Sequence, residues 1–285
     1  MASEFETLWQ SGQRKAALRL ARRELNESQT VDEQEKIVRE VWSWVIREIG
    51  SRDPLIEEAL REFADLMESL PGQTGVKQAA MGLALQFERT LRFEEARTTL
   101  IEALPKVTTV TMLEKLASFE TRLGLHDDAL AHYQQALELA EQEPTRGSRV
   151  PAVLSALIEV SEESGRWDDA DTFAARRIQW LEKNRKDAVQ LAIALLQRAA
   201  IATKLGRIDP ATRMLNHAAI LARKKRDPSL LADVSERLAD VSIEAGCPKG
   251  AIPHVKQAIA ALEKLDPRPA DRIDALEAKL ATLKT

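Results

Sequence analysis

The sequence predicts an all-α protein made of repeated helical hairpins that stack side by side as a solenoid. Three observations support this fold class. The 285 residues are 44% apolar and 30% charged but only 4% aromatic, with 11 glycines and 11 prolines, which disfavours both a disordered chain and a loop-rich β protein. A turn signature recurs at intervals of roughly 40 residues. Apolar or small residues follow each turn with the spacing of a helix face.

Five copies of the turn signature align along the chain. Each copy has a turn residue, then a bulky residue two positions later in most copies, and an alanine five positions later. The turn residues are Leu91, Gly124, Gly165, Gly206 and Gly246, and the alanines are Ala96, Ala129, Ala170, Ala211 and Ala251. Seven positions beyond those alanines the residues are Ala103, Ala136, Arg177, Ala218 and Ala258. Intervals of four and seven residues share a helix face, so an amphipathic helix is predicted after each turn and a second helix before it.

The first 75 residues are less regular, and we interpret them as divergent N-terminal hairpins. A repeated turn signature predicts one hairpin over residues 3–27. A long helix is predicted over residues 33–49, and its partner over residues 54–70. Residues 71–75 read Pro-Gly-Gln-Thr-Gly, which is the strongest loop signal in the chain. This loop is predicted to separate the N-terminal hairpins from the regular repeats.

The regular array is predicted over residues 76–265. Glycines at four of its turns lie where a helix C-terminus favours a left-handed residue. Carboxylates such as Asp127 and Asp168 follow the turns, where they favour the positive end of the next helix dipole. Residues 266–285 are predicted to form a capping helix, which would cover the apolar face of the final repeat.

The repeat resembles that of the tetratricopeptide repeat superfamily, most clearly over residues 76–265. One copy carries the resemblance best, with Leu116, Ala117, Gly124, His126, Asp127, Asp128, Ala129, Tyr133, Ala136 and Leu137. The spacing is similar to that of the longer variety with 40–42 residues per repeat. The resemblance implies a right-handed superhelix in which the first helix of each hairpin lines a concave groove. It also implies a scaffold that binds peptides or protein segments.

The search for catalytic or metal-binding motifs favours a protein that is not an enzyme and has no cofactor. The phosphate-binding, nucleophile-elbow and zinc-protease motifs are absent from the sequence. His126 and His132 are six residues apart and lie on different faces of one helix, so no metal site is predicted. Cys247 is the only cysteine, and the acidic N-terminus lacks the features of a signal peptide. A cytoplasmic location is therefore expected.

The resemblance places a set of residues on the groove, and we interpret them as partner-binding positions. They are Met81, Leu85, Glu114, Arg122, Glu159, Glu162, Glu163, Leu196, Ala200, Lys204, Glu236, Asp240 and Glu244. Acidic residues outnumber cations in this set, which favours a basic or mixed-charge segment with apolar anchors. The alternative is that these carboxylates form an ordinary solvated helix face.

A basic edge is predicted from a local excess of cations. Residues 171–226 contain 13 lysines and arginines against four acidic residues, although the whole chain has a net charge of −4. The edge consists of Arg176, Arg177, Lys183, Arg185, Lys186, Arg223, Lys224, Lys225 and Arg226. It supports an alternative function as a nucleic-acid-associated regulator, although interleaved aromatic residues for base stacking are missing. A third alternative is the substrate-recruiting subunit of an enzyme complex, and homo-oligomerisation stays open.

Overall fold

The computed structural model describes residues 3–50, 54–68, 73–142, 149–184 and 187–284. All regular secondary structure in these ranges is helical, which confirms the predicted all-α class. The helices are α1 (Glu4–Gln10), α2 (Arg14–Glu27), α3 (Val31–Val45), α4 (Pro54–Glu68), α5 (Gln73–Arg89), α6 (Phe93–Ala103), α7 (Val110–Arg122), α8 (His126–Gln142), α9 (Val150–Glu163), α10 (Trp167–Lys183), α11 (Ala188–Lys204), α12 (Ile208–Lys225), α13 (Pro228–Glu244), α14 (Pro248–Leu262) and α15 (Ala270–Lys284).

The N-terminal helices follow the predicted order, with differences at their ends. Helices α1 and α2 form the hairpin expected over residues 3–27. The α-helix predicted over residues 33–49 ends earlier, because α3 gives way to a 3-10 turn at Ile46–Glu48. The predicted loop is partly wrong, since α5 already begins at Gln73. Positions 71 and 72 of that loop lie outside the described residues.

The turn signature marks the start of five helices. Helices α6, α8, α10, α12 and α14 each begin two residues after their turn residue. The turn residue has a positive φ in every copy, between 62° at Leu91 and 75° at Gly124. The amide of the following residue donates back to the carbonyl five positions earlier, as in the 2.8 Å bond from Arg207 to Ala202. This 6→1 bond satisfies a carbonyl at the helix end, so the left-handed turn that the glycines predict is confirmed.

The predicted alanines lie between packed helices. Ala96, Ala129, Ala170, Ala211 and Ala251 are all fully buried. The paired helices α5 and α6, α7 and α8, α9 and α10, α11 and α12, and α13 and α14 pack against each other. A small side chain at each of these equivalent positions lets neighbouring backbones approach closely. The stacked helical hairpins that the repeat predicts are therefore confirmed.

The chain divides into two compact units, Met1–Gln142 and Glu143–Thr285. In the first unit one apolar core runs from Phe5 to Phe119, and the ring of Trp42 stacks on Phe63 with centroids 5.4 Å apart. The second unit contains α9 to α15. Boundaries at residues 75 and 265 stay a prediction based on repeat regularity. No described helix is both long enough and apolar enough to cross a membrane.

Candidate functional site

The predicted groove positions of the first unit are largely engaged within that unit. Met81 and Leu85 are partly buried against the apolar core. Glu88 of α5 pairs with Lys115 of α7 at 2.6 Å, so a cation of the next odd-numbered helix already neutralises this carboxylate. Arg122 lies over the ring of Phe93 at 5.1 Å. Glu114, also a groove position, is half-buried on α7.

The acidic positions on α13 are neutralised in the same way. Arg272 of α15 pairs with Asp233 and with Glu236, donating from Nε to Glu236 at 2.8 Å. Lys279 of α15 pairs with Asp240. Helix α15 therefore supplies cations to these carboxylates of α13, and Glu244 is the exposed carboxylate left among the predicted positions. The expected charge of the groove is thus reduced at α13.

The carboxylates on α9 are different. Within the described residues, Glu159, Glu162 and Glu163 have no lysine or arginine nitrogen within 4 Å, unlike the acidic positions on α5 and α13. Glu159 and Glu163 are exposed, and Glu162 is half-buried. Gln197 of α11 donates a hydrogen bond to Glu162, so α9 and α11 meet at this point. Helix α11 thus contributes an amide to the carboxylates of α9, whereas α7 and α15 contribute cations to those of α5 and α13.

Apolar side chains adjoin these carboxylates on α11. Leu196 and Ala200 are half-buried, as expected for groove positions, and Lys204 is exposed at the end of the helix. Ile193 is 44% exposed although it is a large apolar residue. It lies four positions before Gln197 and seven before Ala200, and therefore on the same helix face. Ile193 is not among the predicted groove positions, although this spacing could have identified it.

Arg177 corrects the predicted basic edge. Its side chain points inward, and Nη1 donates to Gln197 Oε1 at 2.8 Å. Arg177 occupies the position that is alanine in the four other repeats, which is an inward-facing position. Its Nε is buried and has no hydrogen-bond partner among the described residues. Gln197 thus bridges Arg177 of α10 and Glu162 of α9 in a polar seam, which we define as Glu159, Glu162, Arg177 and Gln197.

Burial perturbs Glu162 and Arg177 in the polar seam. Desolvation raises the pKa of Glu162, and the nearby charge of Glu159 raises it further, while the bond from Gln197 lowers it. Desolvation lowers the pKa of Arg177, and the charge of Glu159 opposes this shift. Ionised Glu162 is therefore incompletely compensated, and a cation brought to this surface would stabilise its charged form.

The remainder of the basic edge lies at the protein surface where the structure describes it. Lys225 pairs with Asp187 at 3.2 Å. The exposed members are Arg176, Lys183, Arg223, Lys224 and Arg226, which lie near the ends of α10 and α12. Arg185 and Lys186 lie outside the described residues.

A second polar cluster, which the sequence analysis missed, links α6, α7 and α8. Glu120 of α7 is fully buried and accepts bonds from Arg97 Nε at 3.1 Å and from His132 Nδ1 at 2.7 Å. Arg97 also pairs with Asp128 at 3.0 Å. The hydrogen bond with Glu120 raises the pKa of His132. All three helices are thus joined through one buried carboxylate. Its only sequence signal is a glutamate beside the apolar Phe119.

Comparisons with known proteins place the chain among helical-repeat proteins at the level of fold. No protein-family model matches the chain, and no curated protein matches it. The apo form of RapI is similar with a TM-score of 0.67 and 12% identity, over 92% of this chain and 76% of RapI. The apo form of the quorum sensor NprR from B. thuringiensis is similar with a TM-score of 0.51 and 16% identity, over 98% and 78% of the two chains.

A tetratricopeptide repeat protein from Parabacteroides merdae is also similar, with a TM-score of 0.52 and 18% identity, over 87% of this chain and 99% of that protein. At sequence identities this low, the structural similarity establishes the fold alone. The tetratricopeptide-like helical repeat that the sequence resembles is therefore confirmed.

Proposed function

We propose that this protein is a non-enzymatic scaffold that binds a segment of another protein along α9 and α11. The α9–α11 surface is defined by Glu159, Glu162, Ile193, Leu196 and Ala200. It combines carboxylates that form no close ion pair with an exposed apolar side chain, which fits a segment carrying lysine or arginine beside apolar anchors. Stacked hairpins of this kind present extended binding surfaces, which supports a binding role. A cytoplasmic location is part of the same proposal.

One contrast carries the proposal. Glu88 on α5 is paired with a cation from α7, and Glu236 and Asp240 on α13 are paired with cations from α15. Beside Glu162 of α9, the neighbouring helix α11 contributes the amide of Gln197 instead.

A solvated helix face would explain the charge alone. Ile193, Leu196 and Ala200 additionally form an apolar strip beside these carboxylates. An apolar centre within a charged rim is typical of an interface.

The test uses two labelled peptides of equal length, one alternating leucine with lysine and one alternating leucine with glutamate. Fluorescence anisotropy with the full chain should detect binding of the basic peptide and little binding of the acidic peptide. Ile193→Ser should weaken the basic peptide, with a loss of about 1–2 kcal/mol for an apolar contact of this size. Ile220→Ser is the matched control, because Ile220 is 60% exposed on α12 and lies outside the α9–α11 surface.

Two results would contradict the proposal. Equal affinity for both peptides would show that charge does not select the partner. An equal loss of affinity in the Ile193→Ser and Ile220→Ser variants would show that the peptide does not bind at α11. A single-stranded oligonucleotide serves as a third probe for the alternative function. Its binding, if lost on Arg223→Glu with Lys224→Glu and steeply weakened by salt, would favour the basic edge as the working surface.

A further inference from the structure

A shallow groove of about 430 Å³ lies between α14 and α15 in the second unit. Its floor contains the half-buried side chains of Ile259 and Leu280, and the exposed Ala260 and Ala281 flank them. Helix α15 packs mainly against α14, and its ion pairs reach α13 on the opposite side from this groove. The apolar floor therefore faces outward without another described helix upon it.

Four charged residues at the rim follow the same spacing on both helices. Lys256 of α14 is seven residues before Glu263, which directly follows the last residue of that helix. Glu277 is likewise seven residues before Lys284 on α15. The two helices are consecutive and antiparallel. On each helix the glutamate therefore lies nearer to the connection at residues 263–269, and the lysine lies farther from it. The groove consequently has an acidic end and a basic end, with the apolar floor between them.

We propose that this groove is the contact surface of a symmetric homodimer. A two-fold axis perpendicular to the groove reverses its direction, so the acidic end of one copy meets the basic end of the other. Such an interface uses the same patch twice, and each side-chain contact occurs in two equivalent copies. Ile259 and Leu280 of the two copies meet at the centre. The small side chains of Ala260 and Ala281 let the helices approach closely. This proposal is independent of binding at the α9–α11 surface.

The rim charges are available for such a contact. All four side chains are exposed, and they form no ion pairs with one another within the described residues. Glu263 Oε1 accepts a hydrogen bond from Arg268 at 3.1 Å, and both side chains of this pair are about half exposed. The second carboxylate oxygen of Glu263 has no ion-pair partner among the described residues. Partly exposed charges contribute modestly and are screened by salt, so a weak, salt-sensitive dimer is expected.

The test exploits the symmetry of the charge pattern. The variant Lys256→Glu with Lys284→Glu has two acidic ends, and the variant Glu263→Lys with Glu277→Lys has two basic ends. Each variant alone should associate more weakly than wild type, because like charges then face one another at both ends. An equimolar mixture of the two variants should form a heterodimer, because every facing pair is again opposite in sign. Sedimentation equilibrium of the full chain at about 1–100 μM covers the range of weak interfaces.

We expect the wild-type chain to dimerise in this concentration range, and we expect the dimer to dissociate more readily as the salt concentration rises. Each variant alone should associate at least about tenfold more weakly, and the mixture should return to within about threefold of wild type. Arg223→Glu with Lys224→Glu changes the net charge by the same amount on α12 and should leave the wild-type dimer unchanged. A wild-type chain that stays monomeric would overturn the proposal. So would a dimer that both variants retain, or a mixture that fails to associate although circular dichroism shows folded variants.

Discussion

The buried carboxylate of Glu120 offers a quantitative test of the packing of α6, α7 and α8. Glu120→Gln keeps the shape of the side chain and removes its charge. Hydrogen bonds to a charged group contribute about 1.5–3 kcal/mol, against about 1 kcal/mol for neutral ones. Two such bonds are affected, but Arg97 is 25% exposed and keeps its pair with Asp128. We therefore expect the free energy of unfolding to fall by about 1–3 kcal/mol, which is less than two fully buried charged hydrogen bonds would contribute.

The pH dependence of this loss separates the two bonds. The pKa of His132 is raised above its ordinary value of 6.5 in the folded protein, mainly by its hydrogen bond with Glu120. A raised pKa means that the folded state holds the proton more tightly than the unfolded chain does. The His132 contribution is therefore complete below the unfolded pKa and disappears as pH rises through the folded pKa. The deficit of the Gln variant should accordingly be larger at pH values near 5.5 than near 9.

Urea unfolding followed by circular dichroism, together with hydrogen exchange of the α7 amides, measures both effects. The control is Glu138→Gln, which makes the same chemical change at an exposed position of α8. That variant should stay within about 0.5 kcal/mol of wild type at every pH. A Glu120→Gln deficit that is the same at both pH values would refute the assigned role of protonated His132. A deficit no larger than that of Glu138→Gln would refute the buried network altogether.

Four further predictions concern other contacts. Gly82→Ala should destabilise by about 1–3 kcal/mol in thermal unfolding, because its Cβ would lie 2.6 Å from the ring of Trp42. Gly250→Ala should instead stabilise by about 0.5–1 kcal/mol, because its Cβ meets no atom closer than 3.8 Å and an alanine restricts the unfolded chain. Because the pKa of Glu162 is raised, this carboxylate becomes protonated at a higher pH than an ordinary glutamate does. Acidification should therefore begin to weaken binding of the basic peptide at that higher pH. Glu162→Gln should abolish this early loss of affinity in anisotropy titrations. Arg272→Gln should accelerate hydrogen exchange in α15 and leave α9 unchanged, because its half-exposed ion pairs with α13 contribute at most about 1 kcal/mol.

The repeated architecture was predictable because its turns depend on local backbone chemistry. Gly124, Gly165 and their counterparts occupy left-handed positions that other residues adopt at a higher energy. The alanine spacing then identified the buried face directly. Leu91 shows the limit of this reasoning, because it adopts φ of 62° without being glycine and leaves its side chain in solvent. Helix ends were less predictable, as the early start of α5 shows.

The candidate site was predictable only in part, because its charge depends on contacts between distant segments. Arg272 is 36 residues from Glu236, and only the register of neighbouring helices brings them together. Arg177 was wrongly assigned to the basic edge from its charge, although its alignment with four alanines already indicated an inward position. Glu120 could not be distinguished from a surface glutamate without knowing that Arg97 and His132 converge on it.

The arginine at an alanine position also affects how the second unit unfolds. In stacked-hairpin proteins the cooperativity of unfolding depends on the interface between each hairpin and the next. The interface between α9–α10 and α11–α12 contains the guanidinium of Arg177, whose Nε has no hydrogen-bond partner among the described residues. A buried donor without a partner weakens its interface. The unsatisfied Nε therefore lowers the stability of this joint, whereas the ion pairs of Arg198 and Arg207 with Asp171 oppose the separation of its two hairpins.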